Sequence, residues 1–124
     1  NSINLLMNNF TIYHNPRCSK SRQTLELLKE NNIEPEIILY LENPPSEEKL
    51  TELIDLLGIN PRDLLRKGEE EYKAHNLRDE SIKGEDIIKI MTENPKLIER
   101  PIVISKNKAI IGRPPENVLK LINL

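Results

Sequence analysis

The sequence predicts an α/β domain built on a mixed four-stranded sheet, with a helical insertion between its two sheet-forming parts. Three observations carry this reading. Near the start, two apolar runs, Phe10 to Tyr13 and Glu36 to Leu41, flank a helical pattern, which is the order of a β-α-β unit. Near the end, two β-branched runs separated by Lys106-Asn107-Lys108 precede a proline-initiated helix, a β-β-α order. Between them, over about 46–95, apolar residues recur at helical spacing without any strand-like run. A β-α-β unit implies parallel strands joined by a right-handed crossover, whereas a hairpin adds an antiparallel pair, so the sheet is mixed.

Taken in order, Phe10 to Tyr13 reads as a short strand, followed by a polar turn that contains Cys18. Ser21 to Asn31 reads as a helix with Leu25 and Leu28 on one face and Leu27 beside them, and Asn31-Asn32 suits a left-handed exit. Glu36 to Leu41 is the second strand, apolar enough to be expected buried on both faces, and Asn43-Pro44-Pro45 breaks it. Ser46 caps a helix whose Leu50, Leu53, Ile54 and Leu57 fall at helical spacing and which Gly58 ends. Asn60-Pro61 opens a short helix through Leu65, and the polar stretch from Lys67 to Lys83 reads mostly as loop and short helix. Gly84 to Glu93 is a further helix with Ile87, Ile90 and Met91 on one face, stopped by Asn94-Pro95. Pro101 to Ser105 and Ala109 to Gly112 form the hairpin, and Pro114-Pro115 starts a last helix carrying Val118, Leu119 and Ile122.

The length of 124 residues fits one domain, taken as 9–124, with residues 1–6 read as an appended remnant ahead of a native start at Met7. Eighteen basic residues stand against 20 acidic ones, a near balance that gives no reason to expect a nucleic-acid partner. No apolar run approaches membrane-spanning length, and a lone cysteine argues against a disulfide-built secreted scaffold, so a soluble cytoplasmic protein with no membrane partner is expected. Two histidines and one cysteine at wide separation give no metal-ligand spacing, and no metal or bound cofactor is expected.

Chemistry starts at Cys18, the only cysteine, within His14-Asn15-Pro16-Arg17-Cys18-Ser19-Lys20-Ser21-Arg22. A thiol at a strand-to-helix turn faces the unpaired N–H groups and the positive dipole end of the helix, which favour the nucleophilic thiolate. His14, Arg17, Lys20 and Arg22 add positive charge nearby, more as electrostatic support than as ligands. One cysteine cannot close an internal disulfide, so a redox cycle needs a thiol from outside.

Four ordered segments carry a resemblance. They are Ile12-Tyr13-His14-Asn15-Pro16-x-Cys18-x-x-Ser21-Arg22, Ile38-Leu39-Tyr40-Leu41-Glu42-Asn43-Pro44-Pro45, Leu64-Leu65-Arg66-Lys67, and Arg100-Pro101-Ile102-Val103 with Gly112-Arg113-Pro114. Together they span the chain from about Asn9 onward and resemble the glutaredoxin-coupled arsenate reductases, which have a thioredoxin-like fold. The resemblance implies that Cys18 is the catalytic nucleophile and that Arg66, Arg100 and Arg113 bind the oxyanion. It further implies that His14 and Ser21 tune the thiol, that Arg22 supports the turn, and that Pro101 is a cis-proline facing it. Glutathione would be the co-substrate, glutaredoxin the protein partner, and arsenate or a related oxyanion the substrate. The Arg17-Cys18-Ser19-Lys20-Ser21 turn departs from the small, uncharged neighbours of better-known members and resembles a sister branch, which widens the substrate beyond arsenate.

The chemistry suits these residue types. A planar guanidinium holds two oxygens of a tetrahedral oxyanion and stays charged at any working pH. Plainer roles stand beside the functional ones. Arg66 follows a short helix and also suits a C-terminal dipole partner, Ser21 suits a helix-start hydroxyl, and His14 suits a neutral backbone partner. Two alternative functions stand beside this one. One is a glutathione-dependent thiol transferase using the same cysteine, which leaves the arginines without a role. The other is a non-enzymatic Spx-like regulator that binds RNA polymerase, whose usual second cysteine is here Ser21. A low-molecular-weight phosphatase loop would need arginine six residues after the thiol, where this chain has Thr24.

Overall fold

The computed structural model describes residues 9–122. The remnant expected at residues 1–6 lies outside the described residues. In chain order the elements are β1 (Phe10–Tyr13), α1 (Ser19–Glu30), β2 (Glu36–Ile38), α2 (Glu47–Leu57), α3 (Glu70–Ala74), α4 (Gly84–Glu93), β3 (Ile102–Ser105), β4 (Lys108–Ile111) and α5 (Leu119–Ile122), with 3-10 turns at Pro61–Leu64, Pro95–Leu97 and Pro115–Val118. The chain divides into two compact units, one of residues 9–40 with 100–122, the other Leu41–Glu99. The insertion expected at about 46–95 lies within the second.

The first unit holds the sheet, in the order β2-β1-β3-β4. β1 pairs parallel with β2 through Ile12 and Ile37, and antiparallel with β3 through Ile12 and Val103. β3 and β4 form the hairpin, with Ile102 opposite Ile111. The sheet is therefore mixed, as the order of apolar runs predicts. Phe10 and Ile12 of β1 and Val103 of β3 share one core with Leu28 of α1, Ile33, Val118 and Leu121. Each such side chain taken from water contributes about 1.5–3 kcal/mol, enough to clamp α1 and the C-terminal segment against the sheet. Asn32 adopts a left-handed φ of 63° after α1, the exit that Asn31-Asn32 suggests.

The second strand departs from expectation. β2 stops at Ile38, and Ile37 is 45% exposed instead of buried on both faces. Its position explains this: as an edge strand it has one neighbour, β1, and only part of its apolar surface is covered. Tyr40, just beyond the paired residues, is fully buried.

In the second unit Ser46 accepts a hydrogen bond from the Lys49 N–H (3.0 Å) and starts α2, and Gly58 ends it at a φ of 68°. Leu50, Leu53 and Ile54 are the buried face of α2. Asn60 donates its N–H to the Asp63 carboxylate (3.1 Å), and the proline-opened turn follows. α4 buries Ile87, Ile88 and Met91, so Ile88 takes the place expected of Ile90. The helix packs on α2 and on the turns at Pro61 and Pro95, which draws its buried stripe toward several neighbours at once.

Candidate active site

The turn after β1 is tied down before it reaches the cysteine. His14 donates its N–H to the Ile38 carbonyl (2.9 Å), holding the end of β1 against β2. The Arg17 N–H donates to the Asn15 side-chain oxygen and the Cys18 N–H to the Asn15 carbonyl, each at 3.0 Å. The Arg22 guanidinium reaches back to the Pro16 carbonyl (2.9 Å) and straps the loop from outside.

Helix α1 begins two residues earlier than its apolar spacing suggests, at Ser19, so that Cys18 occupies the N-cap position with φ −94° and ψ 121°. Helical periodicity reports only where apolar side chains meet the core, and the first turn of α1 has none, its one buried residue being Ser21. Partial burial works against ionisation of the thiol. The Ser21 N–H, the Arg100 guanidinium and the Lys20 N–H outweigh it, and the thiol is held below its ordinary value.

Behind the turn, His14 and Ser21 are buried. The Ser21 hydroxyl accepts the Asn15 N–H (3.0 Å) and lies 2.6 Å from His14 Nδ1. This contact ties the imidazole to the hydroxyl, with donor and acceptor set by the ring tautomer. Burial, then Lys29 and Arg22, lower the His14 pKa and favour the neutral ring. The side chains of His14 and Ser21 thus brace the turn, and Ser21 reaches the sulfur through its backbone N–H.

The hairpin supplies the arginines. Its base is closed by the Gly112 N–H donating to the Pro101 carbonyl (2.9 Å), which sets Arg100 and Arg113 side by side although they are far apart in sequence. Arg113 Nη1 lies 3.9 Å from Cys18 Sγ and 3.5 Å from the Arg100 carbonyl. The Arg100-Pro101 bond is cis, as the resemblance implies for Pro101, and so is Arg113-Pro114, which nothing in the sequence reading anticipates.

Arg66 lies in the other unit and is engaged differently. Its Nη1 contacts Glu99 Oε1 at 2.6 Å and its Nε contacts Glu69 Oε2 at 3.3 Å. Burial works against its charge, but Glu99 and then Glu69 outweigh this and raise its pKa. The structure therefore brings Cys18, Arg100 and Arg113 together, with His14, Ser21, Arg22 and Pro101 building their surroundings, and gives Arg66 two carboxylates of its own unit. The contacts of Glu99 with Arg66 and of Thr24 with Gly112 carry no signal in the sequence, because 33 and 88 residues separate the partners. Glu69, by contrast, lies only three residues from Arg66. His75, given no role, sits exposed at the end of α3. Among the described residues no cluster of three or more histidine, cysteine or acidic side chains stands ready for a metal ion, and no helix is long and apolar enough to cross a membrane.

A family model described as the ArsC family matches residues 13–121, from the end of β1 through the Cys18 turn to the last helix. The chain belongs to the ArsC family. It is 56% identical over 112 residues to the uncharacterized protein YfgD of Escherichia coli (strain K12), covering 90% of this chain and 94% of that one. It is 46% identical over 116 residues to an Escherichia coli arsenate reductase, covering 94% of this chain and 82% of the relative. The solved structure named arsenate reductase from Vibrio cholerae superposes with a TM-score of 0.87 at 50% identity, covering 90% of this chain and 95% of that one. Membership and the α/β, thioredoxin-like architecture thus stand on sequence and structure together.

Proposed function

We propose that this ArsC-family protein reduces arsenate to arsenite, with Cys18 as the nucleophile and Arg100 and Arg113 as ligands of the oxyanion. The observation that carries the reading is the Arg113 guanidinium 3.9 Å from a thiol that is itself held below its ordinary pKa. Relatives named arsenate reductase at 43–46% identity support the choice of substrate.

Arsenate near neutral pH carries between one and two negative charges and repels an incoming thiolate. Guanidinium groups beside the sulfur reduce that repulsion and orient two of the oxygens. The Cys18 sulfur bonds to arsenic as one oxygen leaves as water. Glutathione then supplies a second thiolate. The two sulfurs join in a mixed disulfide, their two electrons pass to arsenic, and arsenite departs. Glutaredoxin removes the glutathionyl group and returns Cys18 to the thiol, and a glutathione-dependent cycle fits a cytoplasmic location. No metal or bound cofactor enters this scheme.

The test is arsenite formation from arsenate by the pure protein with glutathione, glutaredoxin, glutathione reductase and NADPH. Turnover should be present in the native chain and fall below about one-thousandth in Cys18→Ser, which lacks a competent nucleophile. Absence of turnover in a protein whose Cys18 still reacts with iodoacetamide would overturn arsenate reduction and favour thiol transfer or another oxyanion.

A further inference from the structure

We infer that Thr24 is a positioning residue, whose contact with Gly112 sets the Arg113 guanidinium beside the Cys18 sulfur. Thr24 lies on α1 six residues after Cys18, is fully buried, and is not among the residues that the family resemblance singles out. Its hydroxyl donates to the Lys20 carbonyl within the helix (2.8 Å) and stands 3.3 Å from the Gly112 carbonyl. The second contact crosses from the helix that carries the thiol to the residue immediately before Arg113.

The Thr24 and Pro101 side chains crowd Gly112 unusually closely. A Cβ placed on Gly112 would lie 2.5 Å from Thr24 Oγ1, 3.0 Å from Thr24 Cγ2 and 2.9 Å from Pro101 Cγ. Gly112 does not have a left-handed φ, so its lack of a side chain serves proximity and not backbone freedom. Its N–H is spent on the Pro101 carbonyl (2.9 Å), so the residue is pinned from both sides, by the hairpin base and by α1. Arg113 leaves this pinned point and returns to the sulfur at 3.9 Å. Freeing Gly112 from α1 shifts the origin of a long side chain whose far end must meet one atom, and catalytic geometry loses sharply with displacements of about 1 Å.

This assignment rests on the reading of Cys18 and Arg113 as parts of one site, but its test does not need arsenate. Thr24→Val keeps the shape and removes the hydroxyl. The rate of Cys18 alkylation by iodoacetamide, followed against pH, should fall about threefold or more at neutral pH, the worth of one modest hydrogen bond. Thr24→Ser should restore the native profile. Leu28→Ala, a core truncation in the same helix, should lower the melting temperature and leave the profile unmoved. The deciding measurement is a double-mutant cycle: in an Arg113→Met chain, Thr24→Val should have no further effect, since nothing remains to be positioned. Additive effects, or a native profile in Thr24→Val, would overturn the inference. Coupling between the two residues in a protein that reduces no arsenate would sink the reductase reading and leave the positioning role standing.

Discussion

Arg113 and Arg66 are the same residue type in segments that match one family, yet their surroundings are opposite. Arg113 turns its guanidinium to a sulfur and to the carbonyl of Arg100. Arg66 turns to two carboxylates, Glu99 at 2.6 Å and Glu69 at 3.3 Å. A cation facing a thiol and a carbonyl lends its charge to whatever anion forms there. A cation held between carboxylates has most of its field compensated and spends its geometry on holding chain segments together. Arginines counted along a sequence therefore do not give the charge of a site, because the partners of each one decide how much of that charge is available.

The sharpest way to break this contrast is to remove the two side chains one at a time. Arg113→Met should reduce kcat/KM for arsenate by about 10- to 100-fold, the range for one or two hydrogen bonds to a charged group. Arg100→Met should do the same, and both variants should slow Cys18 alkylation at neutral pH. Arg100 is one of the groups that hold the thiol below its ordinary value, and Arg113 Nη1 lies 3.9 Å from the sulfur. Arg66→Met should leave the alkylation profile unchanged. If Arg66→Met instead costs as much kcat/KM as Arg113→Met while the fold keeps its stability, the oxyanion role implied by the resemblance is right for Arg66 and the contrast fails.

The structural half of the comparison has its own measurement. Removing Arg66 leaves Glu99 and Glu69, about a quarter exposed, without their cation. Urea unfolding of Arg66→Met should show a loss of about 1–2 kcal/mol, between the small value of surface pairs and the large one of buried pairs. Much of that loss should disappear in Arg66→Met combined with Glu99→Gln, which removes the carboxylate that faced Arg66. An unchanged unfolding midpoint in the single variant would show that the ion pairs carry no net stability.

What the sequence makes legible follows the same division. Ser46, Gly58, Asn60-Pro61 and Gly84 mark element ends through local chemistry, and the structure places those ends accordingly. Cys18 is conspicuous because a helix start acts on its own first turn. β2 misleads because composition is the same for an edge strand as for a central one, and only the strand order β2-β1-β3-β4 exposes Ile37. The stronger partner of Arg66 is hidden for a related reason, since Glu99 lies 33 residues away and only folding brings it near. Thr24 offers no motif at all. Its significance comes from the 88 residues of sequence that separate it from Gly112.

His14 gives the smallest expected effect and a further separation of brace from chemistry. Burial, then the charges of Lys29 and Arg22, lower its pKa from the ordinary imidazole value of 6.5. The unfolded chain therefore binds a proton more readily than the folded one as the solution is acidified. The stability that comes from a neutral His14 is complete above that ordinary value and is lost as pH falls from there through the lowered one. In a Cys18→Ser chain, which removes the titrating thiol, the melting temperature should decline on going from about pH 7.5 to about pH 5. His14→Asn, which keeps a polar group near Ser21 without a titrating ring, should flatten that decline although it starts from a lower melting temperature. An equal decline in both chains would assign the acid sensitivity to other groups. It would also leave the Ser21 bond as the whole of what His14 does, a neutral brace behind a turn whose chemistry lies on the other side, with Cys18 and the arginines of the hairpin.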